Sequence, residues 1–171
     1  PWHGASQKVK EPWDLNDCAR MVTEVMDHFG IERAVGIGHS WGGMTLLRMA
    51  RQWPERLAGI GLCNTPFKAA DKGMAHRLFW RHRLMLLRSL YASKVRDAMF
   101  SPTSLKNIPG VSAFLRENLM LMGANQLRKV EKRVLLDTED LSAVLSDLRM
   151  PALAINGEED NIPAPHPVDT K

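Results

Sequence analysis

Residues 35–44, VGIGHSWGGM, set one serine between a strand-length apolar run and a cluster of glycines, Gly36, Gly38, Gly42 and Gly43. Inside regular structure each glycine costs roughly 0.5–1 kcal/mol relative to alanine, so some local geometry must require them. A strand that turns abruptly into a helix supplies that requirement. Its backbones approach so closely that the flanking positions must be small, and the residue at the turn stands clear of its neighbours. Gly38-His39-Ser40-Trp41-Gly42 has this small–x–nucleophile–x–small form, with Gly43 easing the helix packing further. Ser40 is then placed at a helix N-terminus, where partial positive charge favours an oxyanion. The backbone N–H of Trp41 is the expected donor to that oxyanion.

The flanking pattern agrees with such a turn. Asp14 and Asp17 read as a helix start, and Leu15, Cys18, Val22, Val25, Met26 and Phe29 recur at steps that put them on one helix face. Gly30 is placed to end that helix. RAVGIGH (33–39) has strand length, a second helical pattern runs from the glycines to Trp53-Pro54, and LAGIGLCN (57–64) is a second strand. The order helix–strand–helix–strand predicts parallel strands with crossovers, an α/β sheet. From Phe67 to Met150 the pattern is helical only, broken at Ser101-Pro102 and at IPG (108–110), before PALAING (151–157) returns to strand character. The expected organisation is a core segment over 1–65, a helical cap over 66–150 and a core strand with its loop over 151–171.

A dinucleotide-binding loop is the rival reading, because Gly36, Gly38 and Gly42 fit a loose glycine spacing. That loop wants an acid at the end of the next strand to hold a ribose, and Cys63-Asn64-Thr65 stands there instead. A glycine-rich turn with an idle serine is the purely structural alternative. Among the totals, two cysteines in 171 residues predict no disulfide framework and a reducing, cytoplasmic setting. No apolar stretch approaches the roughly 18–20 residues of a membrane span. Between Lys68 and Arg133, 14 Lys/Arg face 4 Asp/Glu, so this part carries +10 and the remainder −6 of the net +4. No nucleic-acid motif accompanies the charge, and solvated helix faces account for it. A basic amphipathic helix over 74–91 that rests on membranes is a weaker reading, since its apolar face also serves a cap.

Three motifs in order give the chain a resemblance that covers nearly its whole length. GHSWGG resembles the nucleophile elbow of the α/β-hydrolase fold family, HGAS (3–6) resembles the G-x-G-x-S loop upstream of it with Trp2 in place of the first glycine, and INGEEDNIPAP (155–165) resembles the segment that carries the triad acid. The resemblance implies a partial α/β-hydrolase fold, running from after the fourth strand to just past the acid, with a helical cap inserted. It implies Ser40 as nucleophile, Asp160 as the acid that orients a histidine, and Trp41 as an oxyanion donor, with no metal or cofactor. Serine at position 40 rather than aspartate speaks against the related haloalkane dehalogenases and epoxide hydrolases. Esters, lactones, thioesters or amides are the implied substrates, bound as small molecules near Phe79, Trp80 and Met85 of the cap.

The histidine is the missing piece. The resemblance places it a few tens of residues beyond the acid, whereas His166 follows Asp160 by only six positions. His39 flanks the nucleophile, His3 belongs to the upstream loop, His28 lies off the apolar helix face, and His76 and His82 sit in the basic cap. The expectation is therefore a central piece of a longer protein, with the triad histidine past Lys171 and the second oxyanion donor before Pro1, inactive by itself. A proline-releasing aminopeptidase is the runner-up within the fold. It would need acids in the cap to hold an amine, and Glu117 and Glu131 are the candidates there. From another class, the chain would be a catalytically incomplete interaction module that self-associates through the unpaired edge of strand 33–39.

Overall fold

The computed structural model describes Ser6 and residues 12–83, 87–118 and 124–160. The described residues divide into two compact units, one within 12–69 and 137–157 and the other within 70–136 and 158–160, with Ser6.

The first unit is built on a parallel sheet. Helix α1 (Leu15–His28) is opened by Asp14, whose carboxylate accepts from the Asn16 and Asp17 amides at 2.7 and 2.9 Å, while Asp17 returns a bond to the Asp14 amide. This reciprocal capping satisfies donors that the first turn cannot pair internally. Gly30 ends the segment at φ +66°. Strand β1 (Ala34–His39), helix α2 (Trp41–Gln52), a 3-10 turn at Pro54–Arg56 and strand β2 (Leu57–Cys63) follow. Strand β3 (Ala152–Ile155) completes the order β1-β2-β3, with both pairings parallel, so that β1 and β3 are the edges among the described strands.

One sheet face carries α2, and Leu46, Leu47, Met49, Leu57, Ile60, Leu62, Leu141 and Met150 form the core there. Helix α8 (Ser142–Ser146) packs on α2, and the Leu141 amide donates to Phe67 O at 2.6 Å. Among the described residues nothing covers the opposite face. Val35, Ile37, Leu153 and Ile155 lie on it at 53–77% exposure, with Gly59 and Gly61 between them in register. The apolar stripe expected along α1 is only half buried. Leu15, Cys18 and Met26 go into the interior with Ala19 and Thr23, whereas Val22, Val25 and Phe29 are exposed, because no described residue packs over that side of the helix toward its C-terminal end.

The second unit is helical. It contains α3 (Met74–Arg83), α4 (Arg88–Met99), α5 (Pro102–Asn107), α6 (Val111–Asn118) and α7 (Ala124–Glu131), the last running into a wide π turn at Lys132–Leu136. Ser101-Pro102 starts a helix as well as ending one. The Ser101 hydroxyl accepts from the Ser104 amide at 3.1 Å, and Pro102 occupies the first helical position, where no N–H is needed. Leu78, Tyr91, Val95, Leu115, Val130 and Val134 are buried. Glu131 binds both Arg81 and His82. Burial, with the Glu131 charge adding to it, pushes the Tyr91 phenol up to about 12.

Candidate active site

Ser40 lies between the last residue of β1 and the first of α2, with φ 52° and ψ −121°. Residues other than glycine rarely hold a positive φ, and such a conformation costs of order 1–3 kcal/mol unless its surroundings impose it. Here they do. The Ser40 amide donates to Cys63 O at 2.9 Å, and Ser40 O accepts from the Gly43 and Met44 amides at 3.0 and 3.2 Å. Serine in front of a helix ordinarily spends its side-chain oxygen on a cap. The Ser40 hydroxyl makes no capping hydrogen bond, so it is left available at the positive end of a 12-residue helix.

The glycines differ in what they permit. A Cβ on Gly38 would lie 2.4 Å from the Gly43 nitrogen and 2.5 Å from the Gly42 carbonyl carbon, inside the backbone of α2. A Cβ on Gly43 would lie 1.9 Å from Thr65 Oγ1. On Gly42 it would meet nothing within 4 Å. The close approach thus runs through Gly38 and Gly43, and no contact requires glycine at 42. Thr65, buried at 5%, is the residue that the sequence pattern did not single out. It stands under the turn with its hydroxyl 3.3 Å from Cys63 O. Asn64, before it, is the other non-glycine residue with positive φ among the described residues, at 44°.

Trp41 begins α2, so its N–H lies in the first turn of that helix. Its ring lies 6.5 Å from that of Trp13. His39 is exposed and shares the open sheet face with Val35 and Ile37. His28 is exposed and packs edge-on against Phe29. In the helical unit, His76 accepts from Trp80 Nε1 at 3.0 Å and His82 is held by Glu131. Phe79 and Trp80 are each about half exposed, with the Arg83 guanidinium 5.5 and 5.9 Å from their ring centres. Asp160 follows the turn at Glu158-Glu159 and is half-buried. Its neighbour Glu159 accepts from Thr103 Oγ1 at 2.8 Å, and bonds from Ser101 and Thr103 hold the Glu159 carboxyl below its usual range. Met85, His3, His166, residues 3–5 of the upstream motif and residues 161–165 of the acid-loop motif lie outside the described residues. Among the described residues, no group of three His, Cys, Asp or Glu side chains is arranged to hold a metal ion.

A family model described as "alpha/beta hydrolase fold" matches residues 1–166. The chain belongs to the α/β-hydrolase fold family. Across 97% of its length this α/β-hydrolase chain is 27% identical to the dihydrolipoyllysine-residue acetyltransferase component of the acetoin cleaving system of Pseudomonas putida, covering 45% of that protein. Over 54 residues, 32% of the chain and 10% of the relative, it is 44% identical to bifunctional epoxide hydrolase 2 of Mus musculus. Among solved structures, the enol-lactonase from Burkholderia xenovorans LB400 superposes with a TM-score of 0.76 at 25% identity, over 91% of this chain and 59% of that one. The chain therefore spans less than two thirds of each of these three proteins.

Proposed function

We propose that the full-length protein is a serine hydrolase acting on ester-type bonds, in the manner of a carboxylesterase or lactonase. The observation that carries this reading is Ser40 itself: a strained serine at a strand-to-helix turn, with its hydroxyl kept out of the cap and its Oγ beside a helix N-terminus. In this reading Ser40 Oγ attacks the carbonyl carbon of the substrate and its proton passes to a histidine supplied from outside residues 1–171. Asp160 orients that histidine, and the oxyanion is stabilised by the Trp41 N–H and the α2 dipole. Water then cleaves the acyl-enzyme and returns the serine.

The nucleophile type separates this chemistry from that suggested by the epoxide hydrolase relative. Displacement at a saturated carbon by a carboxylate leaves an ester that water can cleave, whereas displacement by a serine would leave an ether that it cannot. The structural likeness to an enol-lactonase supports an acyl carbon as the target. Against the aminopeptidase alternative stands Glu131, whose carboxylate is already bound by Arg81 and His82 and so is committed within its own unit. Turnover of p-nitrophenyl esters against prolyl-amides separates the two. In full-length protein, Ser40→Ala should reduce ester turnover by about 10³-fold or more, and unchanged turnover rejects the assignment.

A second reading concerns residues 1–171 on their own. The open sheet face of Val35, Ile37, Leu153 and Ile155 and the edge at β1 favour self-association over catalysis.

A further inference from the structure

Residues 63–65 close β2 by turning to two different neighbours in succession. Cys63 O accepts from the Ser40 amide at 2.9 Å, and Thr65 fills the space over Gly43. Asn64, between them, turns to β3. Its amide donates to Ile155 O at 2.8 Å, and its side-chain Oδ1 accepts from the Gly157 amide at 3.1 Å. It does so in a left-handed conformation, φ 44°, which asparagine tolerates better than most residues. The Gly157 amide is exposed, so water could satisfy it equally well. Stability alone therefore gives little reason to hold a residue in that conformation there. What the arrangement secures is placement: one three-residue corner fixes both the serine turn and the exit of β3.

We propose that Asn64 is a positioning residue for the reaction assigned above. Through Gly157 it fixes the point from which the chain runs to Asp160, three residues further on. The inference rests on the assignment of Ser40 and Asp160, and the test separates the two.

Asn64→Gly and Asn64→Asp are compared with wild type and with Ser40→Ala in full-length protein, by kcat, KM, urea midpoint and amide exchange at Gly157. Glycine keeps the left-handed backbone without strain but removes the acceptor, whereas aspartate keeps an acceptor. For Asn64→Gly the expected result is faster exchange at Gly157 and a kcat about 10- to 100-fold lower with KM changed less than about 3-fold. Its urea midpoint stays near wild type, and Asn64→Asp restores most of kcat. An Asn64→Gly enzyme with wild-type kcat, while Ser40→Ala is dead, overturns the positioning role and leaves Ser40 in place. A loss of kcat that tracks a loss of stability, with no rescue by aspartate, overturns it too. Should Ser40→Ala remain active, the catalytic reading fails and the role of Asn64 falls with it.

Discussion

At the scale of single residues, the three glycines around Ser40 look alike in the sequence and behave differently in the structure. Gly38→Ala drives a methyl into the backbone of α2 and should cost about 2–5 kcal/mol. Gly42→Ala meets open space, so it should be neutral or stabilising by up to about 1 kcal/mol. Urea denaturation of the two variants reads the difference directly. Gly43→Ala collides with a side chain rather than with backbone, so Thr65→Ala in the same molecule should recover part of its cost, a coupling that a double-mutant cycle measures. The turn and its serine are legible in the sequence because glycine clusters betray a close approach. Which atoms approach is not legible, since Thr65 arrives from β2 and nothing in its local sequence announces that contact. Asn64 did carry a signal, because asparagine is among the residues that most readily accept positive φ.

At the scale of elements, α1 shows how far patterning reaches. The Asp14/Asp17 start and the Gly30 stop are local chemistry and can be read from neighbours in the chain. The buried extent of the helix is set by what packs against it, so Val22, Val25 and Phe29 follow the helical spacing and still face solvent. Asp14→Ala should cost about 0.5–2 kcal/mol. Burial raises the Asp14 carboxyl, but hydrogen bonds from Asp17 and Asn16 outweigh it and hold the group below its ordinary value. A depressed carboxyl stabilises the fold above its unfolded pKa, so the Asp14 contribution is complete near neutrality and disappears as the pH falls below about 4. Acid titration of the wild type should show that loss, and Asp14→Ala should flatten it. Between α2 and the segment ahead of α8, Glu139 serves Arg51 at 2.8 and 3.0 Å and faces Arg48, whose side chain is 3% exposed, at 3.4 Å. Glu139→Gln leaves that buried guanidinium without its carboxylate and should cost about 1–3 kcal/mol in a melt, more than an ordinary surface pair.

At the scale of the molecule, the described residues form two units of different character: a parallel sheet with helices on one face, and a basic helical unit in which Glu131 gathers Arg81 and His82. The fold class was legible because alternating helix and strand patterns leave few topologies. The open sheet face was not, since β1, β2 and β3 read as apolar runs whether or not anything covers them. Residues 1–171 should therefore self-associate at micromolar concentration, and Ile37→Lys, which puts a charge at the most exposed of these positions, should shift sedimentation toward monomer. Everything functional depends on Ser40 Oγ being an acceptor of acyl or phosphonyl groups. The most direct measurement is peptide mass spectrometry of full-length protein after treatment with a fluorophosphonate. The account predicts one adduct, on the tryptic peptide that contains Ser40 and absent in Ser40→Ala. An unlabelled Ser40 in a protein that still turns over esters would contradict it.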